Sequence, residues 1–308
     1  MMHNSAKDDF AKIMQSRLRK VSRFDIRSTF TAAQNARVTN ESVDRHAVRI
    51  LSWLGYISMP VATHRLYRAR IWTCESELPT ALSEGLEPPS ALTELGRCNK
   101  PGRPVLYLAD NPQALVAECG LALGDVFLML QFAHRHSQED ISCVPIGLDP
   151  NLYFDGDPML QESMNYQKTF FGDCHSKHSY VQSQLHSAFV AKNTNDDAVH
   201  RFTAAIADRL LFSGVGVEGI FYPSVATVGN SHNFAVIPNA WRRAYKANAA
   251  FLVRLKPDGE FEILNRAFVG DTDTLHWGAD VEVEGPIPVN MRTIDPSDPR
   301  IYIAPWKI

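Results

Sequence analysis

The chain has 308 residues, 45% of them hydrophobic and 21% charged, with a formal net charge of −3. That balance suits a globular protein with a sizeable core and argues against a dedicated nucleic-acid binder. No apolar run reaches the roughly 20 residues that a membrane-spanning helix needs. The first residues, MMHNSAKDDF, contain no signal-peptide core, so no membrane association and a cytoplasmic location are expected. Five cysteines, at positions 74, 98, 119, 143 and 174, are odd in number and scattered. They read as reduced thiols, with neither disulfides nor a metal site expected.

Residues 1–60 read as helical and basic, with ten Lys and Arg against five Asp and Glu. They are expected to form a helical extension packed against the main domain with its basic face in solvent, the alternative being a surface that grips a partner, an acidic surface or nucleic acid. Residues 61–308 would form the main domain. Leu66 to Trp72 predicts its first strand, and Glu75 to Leu95 a loop with some helix. In the stretch GRCNKPG, Arg97 lies between Gly96 and the pair Pro101-Gly102, which restrict and reverse the backbone. Val105 to Leu108 is a short apolar run of the kind found in buried strands. Asp110-Asn111-Pro112 predicts a helix start, with Asp110 or Asn111 as the capping residue. On that helix Leu115 and Glu118 are three residues apart and share a face.

Phe127 to Phe132 and Ile141 to Ile146 predict strands. Residues 149–180 are rich in Asp, Gly, Asn, His and aromatics without a clear period, which predicts an irregular insertion. Asp196-Asp197 opens a helix whose apolar positions Val199, Phe202, Ala205, Ile206 and Leu210 keep helical spacing. The glycine-rich run from Gly214 to Gly219 ends it. This run is not a dinucleotide fingerprint, because it follows a helix and does not open one after a strand. Ala249 to Ile263 alternates as a hairpin around Pro257-Asp258-Gly259.

Four pieces in order carry a family resemblance: LYRAR with Arg68, the Arg97 loop, the strand and helix from Val105 to Glu118, and GIFYPSVA with Ser224. Asn233-Phe234-Ala235-Val236 follows as an Asn-apolar-Ala-apolar strand. The chain resembles the RES family, named for its Arg, Glu and Ser residues, over roughly Thr63 to Val236. The resemblance implies an α+β fold like that of ADP-ribosyltransferases, with small, mostly antiparallel split sheets forming a cleft and helices around them. It implies an enzyme that cleaves the nicotinamide–ribose bond of NAD, as a toxin restrained by a cognate antitoxin or as a defence effector. NAD would be the substrate, no cofactor would be needed, and a homodimer is the expected assembly.

The chemistry explains the residue types. Cleavage passes through an oxocarbenium-like transition state and nicotinamide leaves neutral, so an anion near the developing charge helps more than a general acid. Glu118 is the candidate anion. Arg68 and Arg97 would grip the pyrophosphate or a ribose, since a guanidinium offers parallel donors and stays charged. Arg65 and Arg70 compete with Arg68, and alternation places Arg68 and Arg70 on one face; the LYRA match favours Arg68. Tyr107 would stack on nicotinamide, and Ser224 would hydrogen-bond the carboxamide or a ribose hydroxyl without acting as a nucleophile. Water, phosphate or a protein side chain as acceptor would make the protein a glycohydrolase, a phosphorylase or an ADP-ribosyltransferase, and these stay open. A non-catalytic module binding NAD or ADP-ribose is the reading from another class.

Overall fold

The computed structural model describes residues 4–55, 58–61, 65–72, 77–86, 90–135, 140–147, 158–191, 197–214, 216–224 and 231–278. Cys74, Asp196, residues 149–157, the end of GIFYPSVA and residues 279–308 lie outside that set.

Three helices come first: α1 (Asn4–Arg19), α2 (Arg23–Ala33) and α3 (Asn40–Leu54). Ser22 starts α2 with a capping box, its hydroxyl accepting from Asp25 N at 3.1 Å while Asp25 accepts from Ser22 N at 2.9 Å. Thr39 caps α3, and Gly55 ends it at φ 48°, a left-handed position that glycine takes without strain. These helices are built into the molecule. Leu18, Phe30, Ile50 and Leu54 share one core with Phe171, Leu185, Phe202 and Ile206. Arg201 ties the layers further, donating to Val38 O and Ala36 O at 3.0 Å each.

The remaining elements are β1 (Met59–Val61), β2 (Arg65–Ile71), β3 (Leu106–Ala109), α4 (Ala114–Glu118), β4 (Val126–His134), β5 (Ile141–Pro145), α5 (Pro158–Phe171), α6 (His175–Phe189), α7 (Ala198–Leu211), β6 (Gly219–Pro223), β7 (His232–Val236), α8 (Pro238–Ala244), β8 (Tyr245–Leu255), β9 (Phe261–Val269) and β10 (Leu275–Trp277). The class is α+β, as expected. The strands run in the order β1-β5-β6-β7-β3-β2-β4-β8-β9-β10, antiparallel except for β5 with β6. In place of the expected split sheets, the described strands form one continuous sheet, narrowest where β2 meets β3. β2 and β3 share one registered pair, Tyr67 opposite Ala109, whereas β2 and β4 pair along seven residues.

Residues 158–189 correct the expectation of an irregular insertion over 149–180. They form α5 and α6, joined by a 3-10 turn at Gly172–Cys174. The period was hidden because polar residues sit on the buried face of α6. His178 is 1% exposed and hydrogen-bonds Leu54 O at 2.8 Å, and Gln182 accepts from Gly147 N at 3.0 Å. Burial of such groups costs little once each has a partner.

Candidate active site

A cleft of about 630 Å3 opens beside the β2–β3 join, within the roughly 300–1,000 Å3 range of small-molecule sites. Arg68 reaches it from β2, Tyr107 from β3, Leu115 and Glu118 from α4, Tyr222 from β6 and Asn233 from β7. Arg97 enters from the turn at residues 96–99 and His200 from α7. Four of the five residues singled out in the sequence therefore converge here.

Backbone carbonyls orient both arginines. Arg68 donates from Nε to Gly85 O at 2.8 Å, from Nη1 to Tyr107 O at 3.1 Å and from Nη2 to Leu86 O at 3.3 Å. Arg70, on the same strand face, is exposed and donates to Glu84 O at 2.7 Å. Of these two arginines, Arg68 is the one that lines the cleft. Arg97 donates from Nη1 to Phe189 O and from Nη2 to Ala191 O at 3.0 Å. It thus caps the C-terminal end of α6, where unpaired carbonyls and the helix dipole favour a cation.

Tyr107 fixes the turn that carries Arg97. Its hydroxyl accepts from Cys98 N and donates to Asn99 Oδ1, both at 2.8 Å, and Asn99 Nδ2 donates to Glu94 O at 2.7 Å. Gly96 closes the turn, its N–H donating to Asn99 O at 3.0 Å. A Cβ there would lie 2.4 Å from Asn99 Oδ1 and 2.7 Å from the Tyr107 hydroxyl, so the requirement for glycine is one of space.

Glu118 closes the five-residue helix α4 and is exposed. Its Oε1 accepts from Asn233 Nδ2 at 2.6 Å, a short bond from a residue that is 3% exposed. The helix start is divided between the two expected caps. Asn111 Oδ1 accepts from Gln113 N at 3.0 Å, whereas Asp110 turns to β7, taking His232 N at 2.9 Å and pairing with His232 Nδ1 at 3.0 Å.

Burial sets the protonation of the walls. It pushes the Tyr107 and Tyr222 hydroxyls well above the ordinary tyrosine range, and the Cys98 thiol adds to both. Cys119, whose thiol lies 3.6 Å from Ala69 O, is pushed up to about 11 by burial against the opposing charge of Arg68. His200 is lowered, first by burial and then by Arg97. Its Nε2 is buried and has no hydrogen-bond partner among the described residues.

Ser224 lies just past β6, 2% exposed, with its N–H donating to Ser231 O at 3.0 Å. It is not among the described side chains that line the cleft. Alternation gives it the sheet face of Tyr222 and Asn233, which are paired in register. His232, opposite Pro223, takes the other face, so the ladder does not set up a serine–histidine pair.

The family model of the RES domain matches residues 65–262. The chain belongs to the RES domain family. RES domains are associated with NAD-related toxin function, and every cleft residue described above falls within the match. None of the curated proteins compared with this RES-domain chain matches it. The RES motifs pointed to Arg68, Arg97, Tyr107 and Glu118. Tyr222 and Asn233 lay inside motifs already noticed, but only the register of β6 with β7 turns them toward Glu118. His200 gave no signal, since one polar residue on an amphipathic helix is ordinary.

Proposed function

We propose that this protein cleaves the nicotinamide–ribose bond of NAD. The observation that carries the reading is an ionisable carboxylate, Glu118, in one cleft with Arg68, Arg97 and two neutral tyrosines. As the bond between the ribose C1′ and the pyridinium nitrogen breaks, its electron pair passes to nicotinamide, which leaves neutral. Positive charge develops on the ribosyl carbon and ring oxygen. Glu118 stabilises that charge, at about 4 kcal/mol for opposite unit charges 4 Å apart in a surface cleft. Arg68 and Arg97 hold the pyrophosphate or a ribose, and Tyr107 and Tyr222 supply apolar walls for a ring. Ser224, on the same sheet face, would hydrogen-bond the carboxamide or a ribose hydroxyl. NAD is consumed as substrate, and no cofactor takes part.

Water as acceptor yields ADP-ribose and a proton; phosphate yields a phosphorylated ADP-ribose. Unrestrained NAD loss would arrest growth, which gives a toxin or defence effector held in check by a protein partner in the cytoplasm. The experiment is chromatography of NAD incubated with purified protein, with and without phosphate, alongside Glu118→Ala. Free nicotinamide that falls about a thousandfold or more in the variant is the expected result. NAD left intact under every condition refutes the cleavage reading, and label from NAD retained on a polypeptide replaces it with a transferase.

A further inference from the structure

Asn233 sits in the Asn-apolar-Ala-apolar strand, and the proposed chemistry gives it no part. The residue is 3% exposed and lies on β7, registered against Tyr222 on one side and Ala109 on the other. The ladder on both sides fixes its Cα, and burial leaves its side chain little freedom. From there Nδ2 donates to Glu118 Oε1 at 2.6 Å. Glu118 itself closes a helix of five residues and is exposed, so α4 alone holds it loosely.

We propose that Asn233 is the positioning residue for Glu118, holding the carboxylate ionised and aimed into the cleft. A donor aimed at a carboxylate favours its charged form. A side chain built on the central sheet is a firmer reference than the last residue of a single helical turn. This inference rests on the NAD-cleavage reading, because positioning matters only if Glu118 acts on a ligand. Asn233 itself exchanges no proton and no bond with the substrate.

Among the described residues, the charged and titratable groups around Glu118 are Arg68 from β2, Arg97 and Cys98 from the turn, Tyr107 from β3, Tyr222 from β6, His200 from α7 and Cys119 beside it. Burial raises both tyrosines and both cysteines, which keeps them protonated through the neutral and acid range. Among these groups His200 is the one whose titration is lowered, by burial and by Arg97.

The test is the pH dependence of NAD cleavage by the full chain and by Asn233→Ala and Asn233→Asp, with folding checked by circular dichroism. Asn233→Ala is expected to lower kcat about ten- to a hundredfold while KM changes less than about threefold. The acid limb should move up by about one to two pH units, and the same shift should appear in a His200→Gln background, which assigns it to Glu118. Asn233→Asp keeps the shape and brings a second carboxylate. It should hold activity while the pair shares one proton and lose it as pH rises through the pair's upper apparent pKa. Should Asn233→Ala fail to fold, this reversed slope in Asn233→Asp carries the test. Cleavage of NAD by the parent chain with kcat and acid limb unmoved in Asn233→Ala overturns the positioning role alone. Equal profiles for Asn233→Asp and the parent also overturn it. A parent chain that leaves NAD intact overturns this role together with the cleavage reading.

Discussion

Replacing Gly96 with alanine tests how the turn presents Arg97. The new Cβ would lie 2.4 Å from Asn99 Oδ1 and 2.7 Å from the Tyr107 hydroxyl, distances that real carbon atoms do not tolerate. Neither neighbour can yield freely. Asn99 is held by its donations to Glu94 O at 2.7 Å and Lys100 O at 3.2 Å, and the Tyr107 hydroxyl by Cys98 N at 2.8 Å. Relief of the clash therefore breaks the Tyr107–Asn99 bond and the Cys98–Tyr107 bond. Each is worth about 1 kcal/mol net, and an unpaired buried N–H adds about 1–2 kcal/mol. The expected destabilisation is about 3–4 kcal/mol, or roughly 5–6 °C in Tm for a chain of this length. Because Arg97 is the next residue, its grip on the α6 carbonyls should loosen, and KM for NAD should rise more than kcat falls. Thermal unfolding by circular dichroism and steady-state NAD turnover read the two effects. A Gly96→Ala protein that melts within about 1 °C of the parent with unchanged KM would refute the packing argument.

Two further outcomes follow from buried groups. His178, stacked on Phe171 with ring centroids 3.8 Å apart, is lowered to about 3, chiefly by burial. Its folded pKa lies below the unfolded value near 6.5, so between those values the unfolded chain binds the extra proton, and stability is lost as pH falls through that window. Urea unfolding should lose about 2 kcal/mol between pH 7.5 and 5 from this group, and His178→Gln should lack that part of the slope; an identical slope in the variant rules it out. Cys119 borders the cleft with its thiol pushed up to about 11. Native protein at pH 7.5 should alkylate there about a hundredfold more slowly than an ordinary thiol, whereas the denatured chain reacts freely. Fast labelling of folded protein, located by peptide mass spectrometry, would show that the thiol is not shielded.

Much of the local structure was legible because one face of an element was buried and the other wet. α7 and the β8–β9 hairpin kept their periods and appear where their patterns place them, although β8 starts earlier, at Tyr245. α5 and α6 escaped notice because their inward faces carry His178, Gln182 and Gln167, and a pattern of hydrophobicity cannot anticipate polar residues that find partners on other elements. The same limit applied at the helix start before Glu118. Asp110 and Asn111 both suit a cap, and only the arrival of β7 draws Asp110 to His232 and leaves the turn to Asn111.

The amino-acid sequence by itself determined the family, the order of strand, turn and helix around Glu118, and the residue types that NAD chemistry would use. These depend on neighbours within a few residues and on motifs that survive without coordinates. The tertiary structure decided which groups meet. It turned Arg68, and not Arg70, into the cleft, anchored Arg97 on the end of α6 some ninety residues away, and brought Asn233 to Glu118 across 115 positions of chain. It also gave Ser224, by alternation from Tyr222, the sheet face of Tyr222 and Asn233. The physical reason is that strand register and helix packing, which fix such distances, are set by long-range burial of both faces of the sheet, and no local window of sequence contains that information.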